Sequence, residues 1–191
     1  MRSCIKAGVL ALQGAFREHI EVMSRLGAEC VELRRSEDLS PDLDCLILPG
    51  GESTVQCRLL RELGMYERLR DMILDGIPVY GTCAGMILLA KHVVNDAPDT
   101  LGLMDITVLR NAYGRQSGSF FTYGSFGGYD RVAMPFIRAP YILDYGKDVL
   151  PLSFTGGKCT AARQENMLVT SFHPELTGET AVHEYFFNMV K

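Results

Sequence analysis

Through the first half of the chain, short apolar runs alternate with segments of helical periodicity, and this alternation restricts the fold more than any other feature. Ala7–Gln13 is an apolar run ending at Gly14. Phe16, Ile20, Met23 and Leu26 then recur at helical spacing, with Arg17, Glu18, Glu21 and Arg25 on the other face and Gly27 where a helix would end. Glu29–Leu33 reads as a strand, and Asp44–Leu48 is another apolar run, stopped by Pro49-Gly50-Gly51. Helices are predicted from Thr54 to Leu63 and from Met65 to Leu74, with Gly76 closing the second. Ile77–Tyr80 is a further buried strand, and Ala84–Ala90 opens the next helix. Strands alternating with helices build βαβ units, so an α/β fold is expected, with a mainly parallel central sheet covered on both faces. Ligands bind such sheets at the loops beyond the carboxyl ends of the strands. Gln13-Gly14, Gly50-Gly51-Glu52 and Gly81-Thr82-Cys83 all fall at ends of that type.

The second half is richer in strands: Asp105–Leu109, Arg131–Phe136, Tyr141–Asp144, Leu150–Phe154, Cys159–Gln164 and Leu168–Ser171. Glycine and aromatic residues crowd Tyr113–Tyr129, which reads as loop, and a final helix is expected over Glu179–Val190. No repeat or linker divides the 191 residues, so residues 1–191 are expected to form a single domain. A net charge of −4 speaks against nucleic acid, whose phosphates need a basic face. No apolar stretch approaches the roughly 20 residues that span a bilayer. Arg2 and Lys6 precede Gly8–Leu12 in the manner of a signal peptide, but Gln13, Arg17 and Glu18 follow at once, and a buried strand fits better. The six cysteines form no CxxC pair, which suits free thiols in a reducing cytoplasm.

Three segments carry chemistry. Gly81-Thr82-Cys83-Ala84-Gly85 follows a buried strand and precedes a helix. A nucleophile on so tight a turn needs small neighbours, the logic of the serine-centred elbow with cysteine in place of serine. The helix N-terminus favours a thiolate, and the amide after the nucleophile can stabilise an oxyanion. Ser171-Phe172-His173-Pro174-Glu175 follows the last apolar strand. In an extended segment His173 and Glu175 share a face, so the carboxylate can orient the imidazole toward Cys83. A metal site is not expected, since no second histidine or cysteine stands at ligand spacing. In Leu48-Pro49-Gly50-Gly51-Glu52-Ser53-Thr54, paired glycines allow close backbone approach and Glu52 can hold an ammonium group, with Ser53 or Thr54 as a candidate N-cap. The segment lacks the Gly-Lys-Ser/Thr of a phosphate-binding loop.

At these residues the chain resembles the glutaminase subunits of pyridoxal 5′-phosphate synthase, a family within the class I glutamine amidotransferases. The resemblance covers nearly the whole chain. It rests on Gly8-Val9-Leu10-Ala11-Leu12-Gln13-Gly14, Pro49–Thr54, Gly81–Met86, Arg110-Asn111-Ala112-Tyr113-Gly114-Arg115-Gln116, Phe136-Ile137-Arg138-Ala139-Pro140 and Ser171–Thr177. It implies a three-layer α/β/α fold and a Cys83, His173, Glu175 triad that hydrolyses L-glutamine to L-glutamate and ammonia through a thioester. It further implies oxyanion binding by the Gly51 and Ala84 amides, and a glutamine site at Gly51, Glu52, Ser53, Arg110, Ile137 and Arg138. No cofactor is implied. The implied partner is a (β/α)8-barrel synthase subunit in a hetero-oligomer, docked near the Gln13 loop and first helix, with Gln13 coupling docking to the oxyanion site. Such subunits are poor glutaminases until the synthase docks. His19 and His183 are expected to be helix-surface or packing residues, not catalysts. Two places depart from the family: after Ser119-Phe120, Phe121-Thr122 and a Gly-rich stretch to Gly128 stand where Glu-Ala is usual, and Ala181 stands where Arg is expected. The rival readings are a glutaminase serving another acceptor, such as an imidazole glycerol phosphate synthase, a free-standing γ-glutamyl hydrolase, and a silent module on the same fold. The runs at Arg110–Gln116 and Phe136–Pro140 speak against the first, and the intact triad against the last.

Overall fold

The computed structural model describes residues 4–95, 99–110 and 118–191. In chain order the first half runs β1 (Lys6–Leu10), α1 (Phe16–Arg25), β2 (Glu29–Leu33), β3 (Cys45–Leu48), α2 (Ser53–Glu62), α3 (Tyr66–Leu74), β4 (Val79–Thr82) and α4 (Ala84–Leu89). The second half runs β5 (Ala90–Val94), β6 (Met104–Leu109), β7 (Ser119–Phe126), β8 (Tyr129–Ile137), β9 (Tyr141–Tyr145), β10 (Leu150–Thr155), β11 (Lys158–Gln164), β12 (Met167–Thr170) and α5 (Ala181–Val190). Short 3-10 turns lie at Ser36–Asp38 and Pro174–Leu176.

Side chains alternate across a strand, and here that alternation divides the interior into two layers. Leu10, Leu46, Leu48, Val79, Met167 and Val169 face α2, α3 and α4, meeting Leu60, Leu69 and Met86. Ala7, Val9, Cys45, Ile47, Tyr80 and Leu168 face the other way, meeting Met23 of α1 and Val182 and Phe186 of α5. The central strands are therefore apolar on both faces, as a parallel sheet sandwiched between helices requires. The α/β/α expectation holds. Among the described residues the main sheet has ten strands in the order β2-β1-β3-β4-β12-β11-β9-β6-β5, with β10 paired to β11. From β2 to β12 every pairing is parallel, and antiparallel pairing begins at β11. No described helix is long and apolar enough to cross a membrane.

The structure differs from the sequence expectations at three places. Part of the presumed loop Tyr113–Tyr129 is strand β7, paired antiparallel with β8; its residues 113–117 lie outside the described residues. Gly127 and Gly128, with φ of 52° and 93°, make the two-residue turn between Phe126 and Tyr129. Paired positive φ matches the twist of a hairpin, so these glycines close a ribbon rather than loosen a loop. Phe120 stacks on Phe136 across it, centroids 4.5 Å apart. The helix predicted from Ala84 to Ala90 stops at Leu89, and Ala90–Val94 continues as β5 beside β6. Neither Ser53 nor Thr54 caps α2: Glu52 holds that place, with no side-chain cap.

Candidate active site

Cys83 sits between β4 and α4 with φ 49° and ψ −97°. A non-glycine residue there stores on the order of 1–3 kcal/mol of strain. Its neighbours hold it: the Cys83 N–H donates to the Thr170 carbonyl of β12 at 2.8 Å, and the Ile87 N–H donates to the Cys83 carbonyl at 3.2 Å. The flanking glycines are required by backbone contact. A Cβ on Gly85 would lie 2.0 Å from the Leu48 carbonyl oxygen, and one on Gly81 would lie 2.6 Å from the Gly85 carbonyl carbon.

His173 follows β12, and its N–H donates to the Pro135 carbonyl at 2.9 Å. Its Nδ1 lies 2.7 Å from Glu175 Oε1, and both residues are buried, at 6% and 5% exposure. The pairing expected from sequence is present, but its local conformation is not extended. Pro174 opens the 3-10 turn Pro174–Leu176, and that turn swings Glu175 back onto the ring. His173 and Cys83 both line the cleft, and the cysteine acts on the imidazole to raise its pKa. With Nδ1 given to the carboxylate, Nε2 is the nitrogen left for sulfur. Burial alone would lower the His173 pKa; the neighbouring Cys83 and then the bonded Glu175 override it and lift the value to about 10. Because the folded pKa is raised, this group's contribution to stability is full below its ordinary value of 6.5 and is lost as pH rises through about 10.

Glu175→Gln removes the carboxylate charge while keeping the shape. The expected outcome is a lower His173 pKa by NMR titration, a smaller loss of stability over that pH range, and kcat down about 10²–10⁴-fold through a misoriented imidazole. An unmoved His173 titration would show that Glu175 is not its electrostatic partner.

The loop after β3 forms the facing wall. The Gly50 carbonyl accepts from the Ala15 N–H at 3.1 Å. In a trans peptide the next N–H points the opposite way, so the Gly51 N–H faces away from the Ala15 loop. Gln13 Oε1 accepts from the Glu52 N–H at 2.7 Å. Gln56 Nε2 donates to the carbonyls of Gln13 at 3.0 Å and Pro49 at 3.2 Å, tying the two loops together. A cleft of about 310 Å³ results, at the small end of ligand-pocket sizes. Gln13, Gly51, Glu52, Ser53, Cys83, Arg110, Ile137, Arg138 and His173 all line it. Glu175 and Ala84 are not lining residues: Glu175 is buried behind His173, and Ala84 begins α4 directly after the nucleophile. At the mouth Arg138 Nη2 donates to Glu52 Oε1 at 2.8 Å, and Arg110 Nη2 donates to Thr54 Oγ1 at 3.3 Å. Asn111–Gln116, the rest of the Arg110 run, lie outside the described residues.

Two buried polar residues here were not read from the sequence as neighbours of the site. Gln56 is fully buried on the stripe of α2 that also holds Ser53, Cys57 and Leu60. His19 is 0% exposed on the inner face of α1, which corrects its reading as a possible surface residue; His183, also 0% exposed, is a packing residue. The available signal was periodicity: His19 stands three residues after Phe16 and four before Met23, on the apolar stripe itself.

A mainly parallel α/β/α sheet with a cysteine elbow at a strand end is the architecture of the class I glutamine amidotransferases. A solved crystal structure of a glutamine amidotransferase superposes with a TM-score of 0.90 at 43% identity, covering 96% of this chain and 98% of that one. The structure of PurLQS from Thermotoga maritima shares the fold at a TM-score of 0.70 and 15% identity, over 98% of this chain and 97% of that one. The chain belongs to the SNO glutamine amidotransferase family, whose model matches residues 9–191. The pyridoxal 5′-phosphate synthase subunit PdxT of Methanocorpusculum labreanum is 54% identical over 97% of this chain and 98% of its own length. That of Streptococcus pneumoniae strain CGSP14 is 51% identical over 98% of each.

Proposed function

We propose that this chain is the glutaminase subunit of a pyridoxal 5′-phosphate synthase, hydrolysing L-glutamine to L-glutamate and ammonia with Cys83, His173 and Glu175. The carrying observation is the buried His173–Glu175 pair, 2.7 Å apart, with His173 lining the same cleft as the elbow cysteine. Cys83 Sγ attacks the side-chain amide carbon of glutamine. The C–N bond breaks as His173 gives its Nε2 proton to the leaving ammonia, and a thioester remains. Water then loses a proton to His173 and attacks the thioester; the C–S bond breaks and glutamate leaves. The Gly51 and Ala84 N–H groups take up the charge on the tetrahedral oxygen in both steps. Glu52 is placed to meet the ammonium of glutamine. Arg110 and Arg138 offer the planar fork that suits its carboxylate, with Ser53 and Ile137 completing the site. No cofactor is needed for any of these steps.

The names of the PdxT relatives support a place in pyridoxal 5′-phosphate synthesis, and the reading takes residues 1–191 as one glutaminase domain of a cytoplasmic hetero-oligomer. Its partner is a (β/α)8-barrel synthase subunit that receives the ammonia. Gln13 is the coupling residue, because it bonds the Glu52 amide next to the oxyanion donor Gly51. The test is glutamate release with and without the synthase subunit. Stimulation of about tenfold or more, a typical coupling magnitude, is expected. Full activity without the synthase would identify a free-standing glutaminase instead.

A further inference from the structure

Behind the triad lies a closed polar cluster that the reaction as written does not use. Glu175 Oε1 is engaged by His173, but Glu175 Oε2 is buried with no hydrogen-bond partner among the described residues. His19 Nε2 stands 3.7 Å from that oxygen and 2.9 Å from Thr82 Oγ1, on the residue just before the nucleophile. On the other side of the ring, His19 Nδ1 lies 2.9 Å from His183 Nε2, and His183 Nδ1 is buried without a partner among the described residues. Tyr80 closes the cage edge-on, its ring centroid 5.7 Å from His19 and 5.6 Å from His183.

The proton positions follow from elimination. Were His19 protonated on Nδ1, it would donate to His183 Nε2. The His183 proton would then sit on Nδ1, an orphaned buried N–H, and a bare His19 lone pair would face a carboxylate. Both cost free energy. With the proton on His19 Nε2, His183 Nε2–H donates to His19 Nδ1, and only a lone pair on His183 is left unmatched. The His19 N–H then donates to Thr82 Oγ1 and turns its positive end toward the outer oxygen of Glu175, 3.7 Å away. Burial, then His183, then His173 hold His19 well below the ordinary imidazole range, so it stays neutral. A neutral donor steadies the carboxylate without competing with His173 for its charge.

We propose that His19 is a positioning residue of the active site, its neutral Nε2–H ordering the outer oxygen of Glu175 and the Thr82 hydroxyl, so that the carboxylate holds His173 in line with Cys83. This rests on the triad reading above. It also gives α1, which follows the Gln13 loop, a second line of contact with the reacting groups.

The test has two parts. ¹⁵N NMR of the wild-type protein at neutral pH should show His19 as the Nε2–H tautomer; an Nδ1–H tautomer or an imidazolium would overturn the proposal. Glutaminase kinetics with the synthase subunit present should then separate His19→Phe from His19→Gln. His19→Phe, which keeps the bulk and removes the N–H, should lower kcat about 10–100-fold with KM within about twofold, as expected for a slightly misplaced base. His19→Gln, whose amide N–H reaches the same place, should recover most of that loss. Wild-type kcat in both variants, or an equal loss in both, would overturn the proposal. If His19→Phe fails to fold, a full loss of kcat in folded His19→Gln does the same. Cys83→Ala run alongside separates the two readings: turnover there would sink the triad itself, whereas a silent Cys83→Ala beside unaffected His19 variants would sink only the role of His19.

Discussion

Cys83→Ala should lower glutamate release about 10⁴-fold or more, the scale seen when a member of a nucleophile–base unit is deleted, while leaving the protein folded. Without sulfur no thioester can form, and the remaining oxyanion donors and base can only assist water. The fold should survive because the elbow is held by its backbone. The Cys83 N–H bond to the Thr170 carbonyl, and the contacts of Gly81 and Gly85 with the chain around them, do not involve Sγ. Alanine inherits the positive φ but adds no bulk, so the thermal midpoint should move by only a few degrees. The same variant loses one of the neighbours that raise the His173 pKa, so that pKa should fall, which NMR titration reads independently of turnover. Retained glutamate release would refute the nucleophile assignment.

Gly50→Ala should also be damaging, although Gly50 supplies no reacting group. A Cβ there would stand 2.3 Å from His173 Cε1 and 2.9 Å from its Nδ1. The imidazole has little room to retreat: Glu175 holds Nδ1, the Pro135 carbonyl holds the backbone, and the residue is 6% exposed. Either the ring leaves Cys83 or the loop swings out, breaking the bond from the Ala15 N–H to the Gly50 carbonyl and turning the Gly51 amide. Both outcomes misplace a reacting group by about 1 Å, worth about 10²-fold in rate, with an overpacking cost of about 1–3 kcal/mol. Steady-state kinetics and thermal unfolding measure the two effects. A variant within a few-fold of wild-type kcat would show that this loop does not wall the base.

The elbow and the layering were legible in the sequence because each follows from a short-range rule. Gly81 and Gly85 around Cys83 signal a turn with no room for side chains, and the unbroken apolar runs of β1 and β3 signal burial on both faces. The His173–Glu175 contact was legible as a pairing but not as a conformation, because Pro174 fits an extended chain as well as the first position of a turn. β7 was hidden by its own composition: Gly124, Gly127 and Gly128 among aromatics resemble a loop until the paired-glycine turn is weighed against the alternation around it. β5 was missed because α4 passes into Ala90–Val94 with no breaker between them. His19 and Gln56 were illegible for another reason. Helical periodicity places them inside, but what a buried polar group is for depends on partners such as Glu175, more than 150 residues further on for His19, which no local pattern encodes.

The position of β12 has a consequence for how the protein is made. Among the described residues it is the last strand in chain order, yet it lies in the middle of the sheet, between β4 and β11. Thr170 pairs with Thr82 beside the nucleophile and accepts the Cys83 N–H. A nascent chain that has emerged only through β11 would therefore carry the cysteine without its base, and would show an unpaired β4 edge where β12 belongs. Hydrolytic competence then arrives at once, when β12 and the turn behind it emerge, and until then the open β4 edge is the surface that chaperones would have to guard.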